Sequence, residues 1–528
     1  MSATVRDVTR ELLRQYGLTT VFGNPGTTEI GFLRDWPSDF RYILGLQESV
    51  VVAMADGYAQ AAGVPVLVSL HSAGGVGHAL GHVFTAYRQR TPMIVLAGQQ
   101  VRSLLQPGEA FLAAEDAALF PRPYVKWSCE PARAADVPAA IARAYHVATQ
   151  PPYGPVFVSV PADDWDAEAE PVPPRPRIAG YAADPGALAE LAAALANSGR
   201  PAIVVGPGVD GDGAVPDVVA LAEKSRAGVW ASPMSWRSSF PEDHPLFQGF
   251  LPPEERGTAE LLAGYDLVLV LGAPVFTYHV FRGAATVPLP PLYQISEDEQ
   301  LLARAQAGTG IRATVRGAVR ALTEAIPLAE RERPSPLARP PRPPERAPIP
   351  ASYVCAELAE VLPEDAILVE EIPSHIMVRR AHLPVRARGT GLLATASGTL
   401  GYALPAAIGA ALGRPDRTVV ALLGDGSAMY SIQALWTAVQ HRVPVTFVIL
   451  DNTQYAAVRI LAENDGGAKV PGVDLGGIDF VALAAGMGCA THLVEHAHDV
   501  RPALTKALAD DRPTLVHIKV DPDPEPLY

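Results

Sequence analysis

Residues 424–452 read GDGSAMYSIQALWTAVQHRVPVTFVILDN. An acid between two glycines opens the stretch, an Asp-Asn pair closes it, and twenty-four residues separate Gly426 from Asp451. The residues TVVALLGD that lead into it are apolar and rich in β-branching, the pattern of a strand buried on both faces. SAMYSIQALWTAVQH has a helical pattern with Ser427 as its N-cap, and VPVTFVILDN is the next buried strand. Strand, helix and strand make one right-handed βαβ unit. That unit puts Asp425 and Asn452 at the carboxyl ends of parallel strands, the edge where open α/β sheets bind ligands. The start of the helix turns free N–H groups toward the same edge and favours an anion. Gly424 and Gly426 allow close backbone approach. A carboxylate, an amide oxygen and a backbone carbonyl are hard oxygen donors suited to Mg²⁺, so the segment reads as a cradle for a metal-bridged diphosphate.

The same alternation runs through the chain. TTVFGNPG, FRYILGLQ, PVLVSLHS and TPMIVLAGQ read as strands, and ESVVVAMADGYAQAAG and AGGVGHALGHVFTAYRQR as the helices between them. Pro-rich breaks at 171–177 and 332–350 divide the pattern, because proline removes a donor and fixes φ. The expectation is an α/β protein of three doubly wound parallel-sheet domains near 1–170, 180–328 and 350–528, with an extended linker over 329–349. In the middle block, GPGVDGDG (206–213) lacks the spacing of a nucleotide-binding loop and reads as a turn.

Composition excludes some classes. Among 528 residues, 42 Lys and Arg stand against 56 Asp and Glu, a formal charge of −14, and no basic run occurs; general nucleic-acid binding is not expected. No apolar stretch is long enough to span a bilayer. MSATVRDVTRELLRQYG reads as an amphipathic helix with Val5, Val8, Leu12 and Leu13 inward rather than as a leader. Three scattered cysteines offer no zinc or disulfide framework. A soluble, cytoplasmic enzyme without membrane or nucleic-acid partners is expected.

The GDG…DN segment resembles the diphosphate signature of the thiamine-diphosphate-dependent enzymes. Asp451 stands where that family usually has a first Asn, and Asn452 matches the second. The resemblance implies Asp425 and Asn452 as side-chain metal ligands and Gln454 as a backbone ligand, with Gly424, Gly426, Ser427 and Tyr455 around the diphosphate. The metal is expected to be Mg²⁺, with Ca²⁺ able to substitute. It also implies a second half-site in the first domain. There Glu48, at the end of FRYILGLQE, protonates the pyrimidine ring and favours the imino tautomer that removes the thiazolium C2 proton. In SGTLGYALPAA, Leu400 matches the residue that holds the coenzyme bent, and Gly398 contacts its aminopyrimidine. In this family one active site draws its two halves from different subunits, so a homodimer at least, and a homotetramer by analogy, is implied.

NPGTTE (24–29), SLHSAGG (69–75) and GAPVFTYH (272–279), with PAAIARAYHVAT and GPVFVSVPADDWD, are similar to the benzoylformate decarboxylase branch of that family. His71 and His279 match that branch's two catalytic histidines, whose imidazoles suit proton transfer near neutral pH. Thr27 matches its active-site serine and is expected to orient the substrate carboxylate, with Asn24, Pro25 and Gly26 beside the coenzyme. His78 and His82 read as ordinary surface or core residues. The substrate pocket maps onto Thr27, His71, His279, Pro373, Ala457, Val458 and Leu461. Leu461 replaces an aromatic residue, and Pro373 a threonine. The implied reaction is decarboxylation of an aromatic 2-oxo acid to its aldehyde, with carboligation as a side activity. The competing readings are an acetolactate-synthase-like carboligase, a decarboxylase of branched aliphatic 2-oxo acids, and a non-catalytic binding protein on the same fold.

Overall fold

The computed structural model describes residues 3–105, 110–176, 180–464, 466–467 and 469–523. Three six-stranded sheets follow one another along the chain, and every strand pairing within them is parallel. The first has the spatial order Arg41–Leu44, Thr20–Gly23, Val66–Leu70, Met93–Gln99, Val156–Pro161, Ser128–Cys129. The third runs Leu392–Ala394, Ile367–Glu371, Val419–Gly424, Val445–Asp451, Thr514–Lys519, Ala490–Val494. Counted within each domain, both orders are 2-1-3-4-6-5. The middle sheet runs Thr309–Arg312, Leu292–Ser296, Leu267–Leu271, Pro201–Val205, Gly228–Ala231, Phe247–Phe250.

The strands are apolar on both faces because both faces are covered. Val21 and Leu67 enter one core while their neighbours Phe22 and Val68 enter another. The second of these cores is shared between the first and third domains. The helix Glu48–Ala62, buried along most of its length, packs against Ala403–Gly413, a helix of almost nothing but alanine, glycine and leucine. Small side chains let the two helices approach closely, and so they fix the two terminal domains against each other. The middle domain is tied in by charge: Arg379, fully buried, donates to both carboxylate oxygens of Glu242 and, through Nε, to Glu370 at 2.8 Å.

Two local expectations need correction. The stretch after Gly426 is not one helix but two, Asp425–Met429 and Ala434–Gln440. Its N-cap is Gly424, and Ser427 lies inside the first turn. Gly401, in a loop distant in sequence, packs against Tyr430 and Ser431 at the break. In the middle domain 206–213 is not a plain turn: Pro207–Gly211 forms one short helix, started by proline at its first position.

Candidate active site

In a 2-1-3 strand order the chain leaves the first strand in one direction and later returns on its other side, and the loops after the two central strands part to leave a crevice. In the first domain those loops begin at Asn24 and His71; in the third they begin at Ile372 and Asp425. Topology therefore gathers both sets of expected site residues at equivalent places.

In the first crevice Glu29 is the hub. Its carboxylate is almost fully buried and accepts from the backbone N–H groups of Gly26 and Gly98, each at 2.9 Å, and from the Thr28 hydroxyl at 2.7 Å. His71 Nδ1 lies 3.0 Å from Glu29 Oε2 and 3.0 Å from Thr28 Oγ1. Facing a carboxylate, Nδ1 carries the ring hydrogen, which leaves Nε2 as the basic nitrogen. Gly26 is obligatory: a Cβ there would lie 2.2 Å from the His71 ring. Asn24 donates to Gly45 O at 2.8 Å and so ties this loop to the strand that ends before Glu48. Glu48 opens its helix behind the N-cap Gln47. Thr27 and Pro25 are exposed beside the cluster, and the hydroxyl that meets His71 is that of Thr28, not Thr27. Sequence reasoning passed over Glu29 and Thr28; the one signal was a buried-type acid inside a turn, NPGTTE.

The second crevice holds a cavity of about 250 Å³ lined by residues between Ile372 and Val458. Gly398, Leu400, Gly424, Asp425, Gly426, Ser427, Asn452, Gln454 and Tyr455 all line it, as do Pro373, Ala457 and Val458. Leu461, one turn past Val458 on the helix Ala456–Asn464, is partly exposed and is not among the lining residues. Asp425 accepts from Gly426 N–H at 2.7 Å and from Gln454 N–H at 3.2 Å, and Asn452 Oδ1 faces the same Gln454 N–H at 3.3 Å. The carboxylate and the amide oxygen thus converge. Burial pushes the Asp425 carboxyl up to about 7, with the charge of Asp451 adding to it. Burial is also the largest single influence on Asp451, but a 2.8 Å hydrogen bond with His517 Nε2, the Thr453 N–H and the contact with Asp425 together outweigh it and hold that carboxyl low.

These residues fit a diphosphate bridged by a cation. The donor set is hard oxygen, a Cβ at Gly426 would lie 2.3 Å from the Tyr455 ring, and His375 lines the cavity with neither ring nitrogen hydrogen-bonded among the described residues. A buried imidazole without a partner is costly unless a ligand supplies one, and no feature of IPSH marked His375 beforehand. Burial depresses its pKa to about 4. The unfolded chain takes that proton near ~6.5, so stability is full above that pH and is lost as pH falls toward 4. Thermal and urea unfolding of the coenzyme-free protein between pH 7 and 5 should show the parent losing roughly 2 kcal/mol more than His375→Gln.

His279 follows the strand Leu267–Leu271, is exposed, and donates its backbone N–H to Pro253 O. It stands on the middle domain, whereas every lining residue of the cavity belongs to the third.

Two doubly wound domains with matching strand orders, one gathering acid and imidazole and the other oxygen donors, define a coenzyme-dependent α/β enzyme. The chain belongs to the thiamine pyrophosphate enzyme family. Family models match residues 3–117 (N-terminal TPP binding domain), 188–322 (central domain) and 372–518 (C-terminal TPP binding domain). It is 43% identical to a benzoylformate decarboxylase of Pseudomonas aeruginosa over 98% of both chains. Among solved structures it is similar to benzoylformate decarboxylase from Polynucleobacter necessarius, at 37% identity and a TM-score of 0.96 over 99% of each chain. A thiamine diphosphate-dependent 4-hydroxybenzoylformate decarboxylase of Rhodococcus jostii RHA1 matches with a TM-score of 0.95 and 41% identity, over 99% of this chain and all of that one. Among the described residues no helix is long and apolar enough to cross a membrane.

Proposed function

We propose that this protein is a thiamine-diphosphate-dependent carboxy-lyase that decarboxylates an aryl 2-oxo acid of the benzoylformate type to the aldehyde and CO₂. The observation that carries the reading is the Glu29–His71 pair at the crevice of the first domain: a histidine held in one tautomer by a buried carboxylate, beside the coenzyme acid Glu48. Full-length similarity to decarboxylases of aromatic 2-oxo acids supports the substrate class.

Bound thiamine diphosphate supplies the electron sink for the pair left by the departing carboxylate. Asp425, Asn452 and the Gln454 carbonyl hold a Mg²⁺ ion, and Ser427, Tyr455 and the start of the helix Asp425–Met429 receive the diphosphate. Leu400 and Gly398 support the ring end. His71 Nε2 gives and takes a proton at the substrate's former carbonyl centre, His279 serves the second proton transfer, and Thr27 orients the carboxylate that leaves. Ala457 leaves room for an aryl ring, with Val458 and Pro373 as its apolar walls. Because the cavity's lining comes from one domain alone, Glu48 and His71 are read as completing the site of a partner subunit, in a dimer or a dimer of dimers.

The test is a panel of 2-oxo acids with added thiamine diphosphate and Mg²⁺, following aldehyde release. Benzoylformate or a ring-substituted relative should exceed branched aliphatic acids by about tenfold or more in kcat/KM. His71→Ala should lower kcat by about 10²–10⁴ while the protein still binds coenzyme. No turnover of any aryl substrate would remove the assignment.

A further inference from the structure

Glu48 has a partner that its role does not explain. Its Oε2 lies 3.1 Å from Nδ1 of His78, and no other side chain bonds this carboxylate among the described residues. His71, Gly75 and His78 stand at the N-cap, the first turn and the second turn of the helix Ser72–Arg88, and so they share one face. That face lies against Glu48. A Cβ at Gly75 would sit 3.1 Å from Glu48 Oε1 and 3.5 Å from His71 Cβ, so a larger residue there would crowd the acid and shift its carboxylate by a few tenths of an ångström. The His78 side chain is 66% exposed in the protomer, whereas that of Glu48 is 13% exposed. An exposed imidazole thus reaches inward to a nearly buried acid.

Resting on the reading of Glu48 given above, we infer that His78 is a positioning residue: its ring fixes Oε2 of Glu48 and leaves Oε1 as the oxygen presented to the coenzyme. An ionised carboxylate only accepts, so Nδ1–H donates to Oε2; when Oε1 carries the proton, Oε2 is a carbonyl oxygen and still accepts from the same N–H. One side chain can therefore hold Glu48 in place through both of its protonation states. A lone carboxylate on the first turn of a helix would otherwise sample several rotamers, and a small misplacement of a catalytic group is costly.

The experiment uses holoenzyme and reads coenzyme activation apart from turnover, as deuterium exchange of the thiazolium C2 hydrogen measured by quenched-flow NMR. In His78→Ala exchange should slow about tenfold, with the thiamine diphosphate Kd changed less than about threefold. His78→Asn and His78→Gln, which keep an N–H donor, should recover a substantial part of that loss. Parent-like exchange in His78→Ala would overturn the inference. So would loss of coenzyme binding with normal exchange in whatever fraction remains loaded, since His78 would then hold the coenzyme rather than Glu48. Glu48→Gln measured beside it separates the two readings. Normal exchange in Glu48→Gln removes the role of Glu48 itself, whereas slowed exchange there with parent-like exchange in His78→Ala removes only the role of His78.

Discussion

Glu48→Gln should abolish useful turnover, with kcat on benzoylformate lowered by about 10²–10⁴, while the protein folds and still takes up coenzyme. Glu48 is the first residue of the helix Glu48–Ala62, after the N-cap Gln47, whose own side chain accepts from Val50 N–H at 3.2 Å. The cap does not depend on Glu48, and the buried face of the helix begins at Val50. Replacing an acid at the first turn by its amide costs the helix only the modest favourable interaction of a negative charge with its N-terminus, about 0.3–1 kcal/mol. Shape and volume are kept, so Gly75 and His78 retain their neighbour. What is lost is the exchangeable proton. An amide cannot share a proton with a ring nitrogen, and the loss therefore falls on kcat rather than on the melt. Steady-state kinetics with a thiamine diphosphate titration, alongside a thermal melt, checks both halves. Glu48→Gln with a tenth or more of parental turnover would end the assignment.

The large features of this molecule are written locally, and its finer chemistry is not. Runs such as VVALLG and VTFVIL specify strands because only a sheet covered on both faces tolerates them, and the glycine and acid that follow mark where a crevice opens. Alternation and handedness narrow the possible strand orders to a few, and the structure shows that both terminal domains adopt 2-1-3-4-6-5. The helix break after Met429 was not legible locally; the residues at the break, Tyr430 and Ser431, pack against Gly401 in a loop well upstream. Glu29 was hidden for the same kind of reason. Its partners come from three separate segments, Gly26 with Thr28, His71, and Gly98 at the end of Met93–Gln99, and no window of sequence contains them all. His78 looked like one more histidine on an apolar helix until the turn before Glu48 was laid against it. His375 carries no local mark at all, since an unpartnered nitrogen is a property of surroundings.

Asp425→Asn should make two measurements move in opposite directions: coenzyme affinity falls by about 10²-fold or more, about 2.7 kcal/mol, and the coenzyme-free protein becomes no less stable, or more so. Asp425 is 4% exposed, and burial holds its pKa up at about 7. Neighbouring Asp451 has His517 as a hydrogen-bond partner, but among the described residues no Lys, Arg or His pairs with Asp425. A buried carboxylate without a counter-charge costs several kcal/mol in the empty site, the kind of local strain that functional sites retain. The amide removes that charge; its single oxygen can keep the bond from Gly426 N–H, while Gln454 N–H retains Asn452 Oδ1. The substitution therefore relieves the empty protein and weakens the place where the cation binds. The same reasoning covers chelation: holoenzyme treated with EDTA and desalted should lose its coenzyme along with its metal. Activity should then return only with Mg²⁺ or Ca²⁺ and thiamine diphosphate together, since on the proposed reading Asp425 and Asn452 would hold the ion that anchors the diphosphate, and neither would bind well alone. Equilibrium dialysis of coenzyme, with thermal melts of the stripped protein, reads both directions at once. A stripped Asp425→Asn variant that melts well below the parent yet retains coenzyme at parental affinity would show that the buried acid serves the fold and not the metal.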